Sequence, residues 1–392
     1  MSHRPLIVHL TYILDFGGLE TLIVETINRM PVDQYRHAIV CLTKFTDFRE
    51  RITRPGVEVI ALDKQPGLGL DTHVKLWRLL RKMKPTILHT YNLATAEYAF
   101  TAAMAGVPVR VHAEHGRDAG DPQGKNPKHR LLRRLLSPFI DCYVAVSNDL
   151  ELWLKRDVGI AEKKVLFIDN GVDTARFAPL APGTLPPPLF AIPPGCFVIG
   201  TVGRIQDVKN HAGLIDAFIL LREQLPQRRD SMRLVIVGAG PLLPALERQI
   251  AAADIGDAVL LPGGRDDIAA VMQTFSLFVM SSIAEGMPVT LLEAMSSGLP
   301  VVSTRVGGIP DLVVDNETGA LVPPGDPAAL AKALALYVRA PSLARRHGAT
   351  ARSRIVQKYS IDAMLGSYVA LYDRLCKSKT KFKENIKPCA ES

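Results

Sequence analysis

From Leu6 onward, short apolar runs that suit buried strands alternate with longer runs of helical apolar spacing, almost to the end of the chain. "LIVHLTYIL" leads to "LETLIVETINRM" and then "HAIVCLT"; further on come "TILHTY", "VRVHAEH", "CYVAVS" and "VLFIDNGVD". Near-continuous apolar strands separated by amphipathic helices make a parallel sheet covered by helices on both faces. At 177–195, "FAPLAPGTLPPPLFAIPPG" is dense in proline and reads as an ordered or semi-rigid linker. A second series of the same rhythm follows, from "FVIGTVGRI" through "RLVIVGAG" and "AVLLPGG" to "LFVMSS". The pattern predicts two doubly wound α/β domains, and 392 residues exceed what one core usually organises. Ligands of such sheets bind outside the carboxyl ends of the strands, so the informative residues are sought there.

Composition excludes several other classes. Nearly half the residues are hydrophobic and about a fifth charged, as in ordinary globular proteins. No apolar run reaches the ~18–20 residues that span a bilayer, and the first segment reads as a strand rather than a signal peptide. The five cysteines (Cys41, Cys142, Cys196, Cys376 and Cys389) have no close pair, which indicates neither a disulfide framework nor a zinc site and fits a reducing cytoplasm. The net charge of +8 is spread: 25 Lys and Arg against 20 Asp and Glu up to residue 196, then 22 against 19. No RNA-binding aromatic motif, basic zipper or zinc finger is present, which argues against nucleic acid as a partner. Two basic clusters, "KLWRLLRKMK" (75–84) and "KNPKHRLLRRLL" (125–136), keep apolar residues at helical spacing. Such segments suit reversible docking on an anionic membrane through cations such as Arg130, Arg133 and Arg134. They equally suit surface helices whose leucines face the core and whose cations face water. A third cluster, at 377–387, opens a lysine-rich tail expected to be mobile from 379 to 392.

The densest chemistry lies in "EGMPVTLLEAMSSGLPVVSTRVGGIPD" (285–311). It reads as a strand end, a glycine-proline turn and a short helix, with Pro288 in the first helical turn. The N–H groups around Gly286, Met287 and Val289 then form a positive end suited to phosphate oxygens. Glu285 in the loop can reach hydroxyls beyond the phosphates, and Glu293 can accept from a diol. A capping carboxylate followed by a solvent-facing one explains the same spacing. "VGRIQDVKNH" places Arg204 and Lys209 after the first strand of the second domain, a fork and a point charge suited to a diphosphate, or simply two loop cations. In the first domain, Gly17 and Gly18 lie between strand and helix, where backbone can approach a phosphate. The chain lacks G-x-G-x-x-G spacing there, and it has no G-x-x-x-x-G-K-[ST] loop. "VRVHAEHGRD" ends a strand with His112, Glu114 and His115; alternation sends the first two to one side, which makes a three-ligand metal site awkward. His115, just before a glycine, can touch a substrate or pack as an ordinary histidine.

Taken in order, "GGLE", "HAEHG", "IDNGVDTARFAP", "GRIQDVKNH", "VIVGAGPL", "LPGGRDDI", the E-x7-E of Glu285 and Glu293, "GLPVVSTRVGGIPDLV" and "TGALVPPGD" resemble the glycosyltransferase family 4 enzymes over almost the whole chain. Within that group the chain is most similar to bacterial sugar transferases associated with PEP-CTERM and exosortase systems, which belong to exopolysaccharide gene sets. The resemblance implies an α/β GT-B fold, two Rossmann-like domains facing a central cleft. Residues 1–176 would form the acceptor-side domain, 177–195 the linker and 196–359 the nucleotide-sugar domain, with a helix at 360–378 crossing back to the first. It implies retaining, metal-independent transfer with no cofactor, from a nucleotide-sugar donor to a saccharide or polyprenyl-linked acceptor, in the cytoplasm or on the inner face of the membrane. Arg204 and Lys209 would stabilise the departing diphosphate, Glu285 bind donor-sugar hydroxyls and Glu293 the ribose. His115 would contact the sugar near its anomeric centre, Gly18 would approach the diphosphate, and Arg265 lies where the family's backbone meets the base. Many relatives have glycine where this chain has Pro288, so one N–H donor is missing here. An epimerase or phosphorylase on the same fold, or a silent nucleotide-sugar-binding homologue, are the other readings. The second requires loss of Arg204, Lys209 or the glutamates, and none is lost.

Overall fold

The computed structural model describes residues 4–118, 120–181 and 183–386, with the side chains of 380–386 left aside. The chain divides into two compact units, one of residues up to Asp169 with those from Asp362 onward, the other of Asn170–Ile361.

The first unit holds β1 (Leu6–Thr11), α1 (Gly18–Arg29), β2 (Arg36–Cys41), β3 (Glu58–Ala61), α2 (Leu70–Met83), β4 (Ile87–Tyr91), α3 (Leu93–Ala96), α4 (Tyr98–Met104), β5 (Val109–Glu114), α5 (Pro127–Leu136), β6 (Cys142–Ala145), α6 (Asn148–Leu152) and β7 (Val165–Phe167). Its sheet is parallel, in the order β3-β2-β1-β4-β5-β6-β7. Strand alternation sorts the two faces. Leu6, Val8, Leu10, Ala38, Val40 and Leu88 enter one apolar core with Leu76 and Leu80 of α2 and Tyr98 of α4. His9, His37, His89 and Tyr91 occupy the other face, all buried.

The second unit holds β8 (Phe197–Val202), α7 (His211–Gln224), β9 (Met232–Val237), α8 (Leu243–Ala252), β10 (Val259–Gly263), α9 (Ile268–Met272), β11 (Leu277–Met280), α10 (Val289–Ser296), β12 (Val301–Thr304), α11 (Ile309–Leu312), β13 (Gly319–Val322), α12 (Pro327–Arg339) and α13 (Pro341–Lys358). The parallel order is β10-β9-β8-β11-β12-β13. The strand order reverses between β8 and β11, which makes their carboxyl ends the topological switch point.

The last helix, α14 (Ile361–Ile386), belongs to the first unit from Asp362 on. Met364, Leu365, Tyr368, Leu371 and Tyr372 are buried at helical spacing. Tyr372 hydroxyl lies 2.7 Å from His89 Nδ1, so this helix covers the histidine face of the sheet.

Two boundaries differ from those read in the sequence. The division falls after Asp169 rather than after Arg176. Residues 170–178 are held by second-unit groups: Asn170 Nδ2 donates to the Met287 carbonyl at 2.8 Å, and Ser296 Oγ to the Phe177 carbonyl at 2.7 Å. The tail expected to be mobile from 379 continues α14 through Ile386, and 387–392 lie outside the described residues.

The basic stretch at 125–136 is the larger correction. Leu136 is buried as a core-facing leucine of α5 would be, but Arg133, Leu131 and Leu135 depart from the expected arrangement. Arg133 is 2% exposed and forms a bidentate pair with Glu114 at the end of β5, Nε to Oε1 at 2.5 Å and Nη2 to Oε2 at 3.1 Å. Arg134 Nε donates to the Val158 carbonyl at 2.9 Å and Arg130 Nε to the Gly124 carbonyl at 2.6 Å. Leu131 and Leu135 are 53% and 62% exposed. The buried carboxylate of Glu114 decides which way the helix turns, because an unpaired buried charge costs about 3–5 kcal/mol, more than exposing a leucine.

Candidate active site

The switch point of the second unit gathers the loops after β8, β11 and β12. β8 ends at Val202, and a short 3-10 turn (Asp207–Lys209) leads into α7. β11 ends at Met280, and the Ile283 N–H bonds the Val208 carbonyl at 2.8 Å, joining the two loops through their backbones. Ser281 Oγ donates to the carbonyls of Lys209 and Asn210, both at 2.9 Å. So fixed, Lys209 Nζ meets Glu285 Oε1 at 2.6 Å, with the side chains 23% and 10% exposed. Ser282 Oγ donates to the same oxygen at 2.6 Å. An ammonium carries three donors and a carboxylate about four lone-pair sites, so each partner keeps capacity for a ligand. Arg204, on the loop straight after β8, is exposed.

Gly307 explains how Glu285 is held. Its φ is +51°, and a Cβ there would collide with the Glu285 carbonyl, so the loop after β12 lies directly against the loop after β11. The Gly308 N–H donates to the Gly286 carbonyl at 2.8 Å, and Thr304 Oγ1 to the Ser282 carbonyl at 2.6 Å.

Pro288 stands at the N-cap of α10, one position earlier than expected, and Val289 is the first helical residue. The N–H groups of Leu291 and Leu292 return to the Pro288 carbonyl, so those of Val289 and Thr290 precede the helical ladder and leave a positive end beside Glu285. Gly286 and Met287 are buried, and Met287 receives Asn170 through its carbonyl, a contact that spends its acceptor and leaves its N–H role open. Glu293 is buried one turn into α10 rather than solvent-facing. Its Gln variant should weaken donor binding at least several-fold and change turnover at saturation little, because a contact remote from the reacting bond acts alike in ground and transition states. Unchanged donor affinity by calorimetry would remove Glu293 from the site. Arg265 is tied by Asp267, Nε to Oδ1 at 2.8 Å and Nη2 to Oδ2 at 2.6 Å, with its guanidinium 5.6 Å from the Phe190 ring centre. Its Nη1 donors remain beside its backbone, which is the part the sequence resemblance assigned to the base.

In the first unit, Gly17 is the N-cap of α1 and Gly18 its first residue. The Glu20 carboxylate folds back over Gly17, where an added Cβ would strike it. This helix end therefore already carries a negative group, a feature the sequence reading missed although "GGLE" contains it. His115 follows β5, with its N–H bonded to Asn92 Oδ1 at 2.8 Å. Part of the residue reaches the surface, but Nε2 is sealed and without a partner among the described residues. Burial lowers its pKa to about 4, against the pull of Glu114, so the imidazole is neutral near pH 7. It lines a cavity of about 10 Å³ with Leu19, Leu22, His89 and Tyr91, which brings the start of α1 and His115 together. His112 Nε2 lies 3.1 Å from Glu114 Oε1, the same-side placement that alternation predicts. Burial alone would raise the Glu114 carboxyl, but Arg133 and His112 outweigh it and hold it at about 2.

Ser281, Ser282, Asn92 and Thr304 went unread in the sequence. Each stands at the last residue of a strand or just beyond it, where small polar side chains bond to loops.

The family described as "Glycosyl transferases group 1" matches residues 190–354, and "Glycosyltransferase Family 4" matches 16–176. The UDP-Gal:alpha-D-GlcNAc-diphosphoundecaprenol alpha-1,3-galactosyltransferase of Escherichia coli is 29% identical over 81% of this chain and 83% of its own. The lipopolysaccharide core biosynthesis mannosyltransferase LpcC of Rhizobium leguminosarum is 30% identical over 63% of this chain and 68% of its own. Among solved structures, Anabaena HepE in complex with UDP and glucose superposes with a TM-score of 0.78, covering 95% of this chain and all of that one at 19% identity, which speaks for the fold. Two doubly wound units, one with cations, a carboxylate and a helix N-terminus at its switch point, define a sugar-transferring enzyme of the GT-B fold. The chain belongs to the family 4 glycosyltransferases.

Proposed function

We propose that the protein moves a sugar, with retention and without a metal, from a UDP-sugar to a saccharide or polyprenyl-linked acceptor. The observation that carries this reading is the Lys209–Glu285 pair at the β8/β11 switch point, beside Arg204 and the N-terminus of α10. As the bond from the anomeric carbon to the diphosphate oxygen breaks, negative charge develops on the diphosphate. Arg204, the free donors of Lys209 and the N–H groups of α10 oppose that charge, the work a divalent ion does elsewhere. Glu285 accepts from donor-sugar hydroxyls and Glu293 from the ribose, while the backbone of Gly18 approaches the diphosphate and that of Arg265 the base. Neutral His115 meets the sugar near its anomeric carbon. The UDP donor is supported by the Escherichia coli relative, named for UDP-Gal, and by HepE, solved with UDP. The lipid-linked acceptor is supported by the diphosphoundecaprenol named for the same relative. A role in exopolysaccharide synthesis associated with PEP-CTERM and exosortase systems rests on the sequence resemblance. Among the described residues no helix is long and apolar enough to cross a membrane, so a lipid-linked acceptor would be met peripherally, at the cytoplasmic face.

The test is UDP release from a panel of UDP-sugars with and without a polyprenyl-diphosphate saccharide. Release should require the acceptor, persist in EDTA and give a product with the anomeric configuration of the donor. Release without acceptor, or loss in EDTA restored by magnesium or manganese, would contradict the reading.

A further inference from the structure

The outward turn of Leu131 and Leu135 on α5 has a counterpart on its neighbours. Leu131 and Leu135 point outward at i, i+4 spacing, on a helix without an acidic residue. Phe139, in the short turn that follows α5, meets exposed Phe100 of α4 edge to face, ring centres 5.0 Å apart. Met104, four residues beyond Phe100 on the same helical face, is also exposed, and its carbonyl accepts from Trp77 Nε1 of α2 at 3.4 Å. These contacts join α2, α4 and the turn after α5 within the first unit, and Leu131 and Leu135 stand eight and four residues before Phe139, extending its outward side along α5. Scattered exposed leucines need no explanation, whereas a contiguous apolar run does.

The ridge has a cationic border. Arg78, Arg81 and Lys82 of α2 and Lys128 of α5 are exposed, and on α2 the only acidic residue is Asp71, paired with Lys75 at 3.2 Å. Apolar side chains flanked by unneutralised lysine and arginine match a surface that is apolar below and anionic above. A protein partner would be expected to meet a more mixed pattern of charge.

We propose that the first unit docks on an anionic bilayer with Trp77, Phe100, Met104, Leu131 and Leu135 entering the interface and Arg78, Arg81, Lys82 and Lys128 meeting lipid phosphates. The proposal rests on the reading of a lipid-linked acceptor and names the surface that would bring the enzyme to it. Arg133, buried on Glu114, serves to keep the leucines outward and does not itself touch lipid. This replaces the assignment of docking to Arg130, Arg133 and Arg134.

Cosedimentation of the full chain with vesicles tests it, using phosphatidylcholine alone and phosphatidylcholine with phosphatidylglycerol. Wild type should pellet with the anionic vesicles and largely remain in solution with the neutral ones. Leu131→Ser with Leu135→Ser, and separately Arg81→Glu with Lys128→Glu, should each lower the partition coefficient roughly tenfold or more. Both variants should keep wild-type turnover on a water-soluble, short-chain acceptor, which shows that they fold. Wild type left in the supernatant at low salt overturns the proposal, as does a leucine variant that binds like wild type. So does a dimer in sedimentation velocity that dissociates in the leucine variant while neither binds vesicles, since the ridge would then cover a second copy. Vesicle binding by a wild type that transfers sugar to the water-soluble acceptor but to no lipid-linked one supports the docking surface and rejects the lipid-linked substrate reading instead.

Discussion

Lys209→Ala should lower turnover on the order of 10²-fold or more, the scale seen when one donor to developing transition-state charge is removed. Donor affinity should change far less, because the charge that Lys209 opposes grows as the glycosidic bond breaks. The geometry adds a second expectation. Lys209 Nζ lies 2.6 Å from Glu285 Oε1, and that carboxylate is only 10% exposed, so alanine also strands a shielded negative charge at the proposed site of the departing diphosphate. Lys209→Ala combined with Glu285→Gln separates the contributions. If Lys209 acts only by neutralising Glu285, the double variant matches the Glu285→Gln single variant. If it acts on the diphosphate, the double variant falls well below that single variant, because the developing charge then lacks its donor. Near-normal turnover in the single variant would take Lys209 out of the mechanism.

Mild acid should destabilise the first unit steeply. His9, His37 and His89 are buried on one face of its sheet, linked His37–His9 at 3.1 Å, His9–Tyr91 at 2.7 Å and His89–Tyr372 at 2.7 Å. Burial lowers His9 to about 3 and His37 to about 2, with Arg54 adding to the second, and holds His89 well below its ordinary value. The sign follows from linkage. These histidines stay neutral in the folded unit and protonate near pH 6.5 when it unfolds, so the unfolded chain binds more protons and stability falls as pH drops below that value. Each contributes a loss of about 1.4 kcal/mol by pH 5.5, roughly 4 kcal/mol for the three. His115 titrates in the same direction. The melting temperature of the first unit should therefore fall on the order of 10 °C between pH 7.5 and 5.5. Calorimetry in buffers of different ionisation enthalpy should show uptake of about three protons on unfolding at pH 5.5. A melting temperature flat across that interval would show that the histidines are solvated or already charged in the folded protein.

The two α/β series were legible because side-chain periodicity is set by local geometry, period two in strands and 3.6 in helices. The chemistry-bearing loops were legible for a related reason: in a parallel doubly wound sheet every carboxyl strand end faces the same way, so Lys209 after β8 and Glu285 after β11 fall at one edge wherever the strands stand. That the two touch was not legible. They are 76 residues apart and meet because β11 pairs with β8, a choice made by the packing of the whole sheet. The histidine seam was hidden for the opposite reason. "LIVHLTYIL" reads correctly as a buried strand, yet alternation alone does not show that His9, His37 and His89 share a face until β1, β2 and β4 lie in register beneath α14. α5 shows the division most sharply. Its sequence determined an amphipathic helix with leucines on one side and arginines on the other, but periodicity has no preferred inward direction. The tertiary structure decided it by placing the carboxylate of Glu114 at the buried end of β5, where the Arg133 guanidinium satisfies a charge that no leucine could; Leu136 packs inward beside it, and Leu131 and Leu135 were left to face outward.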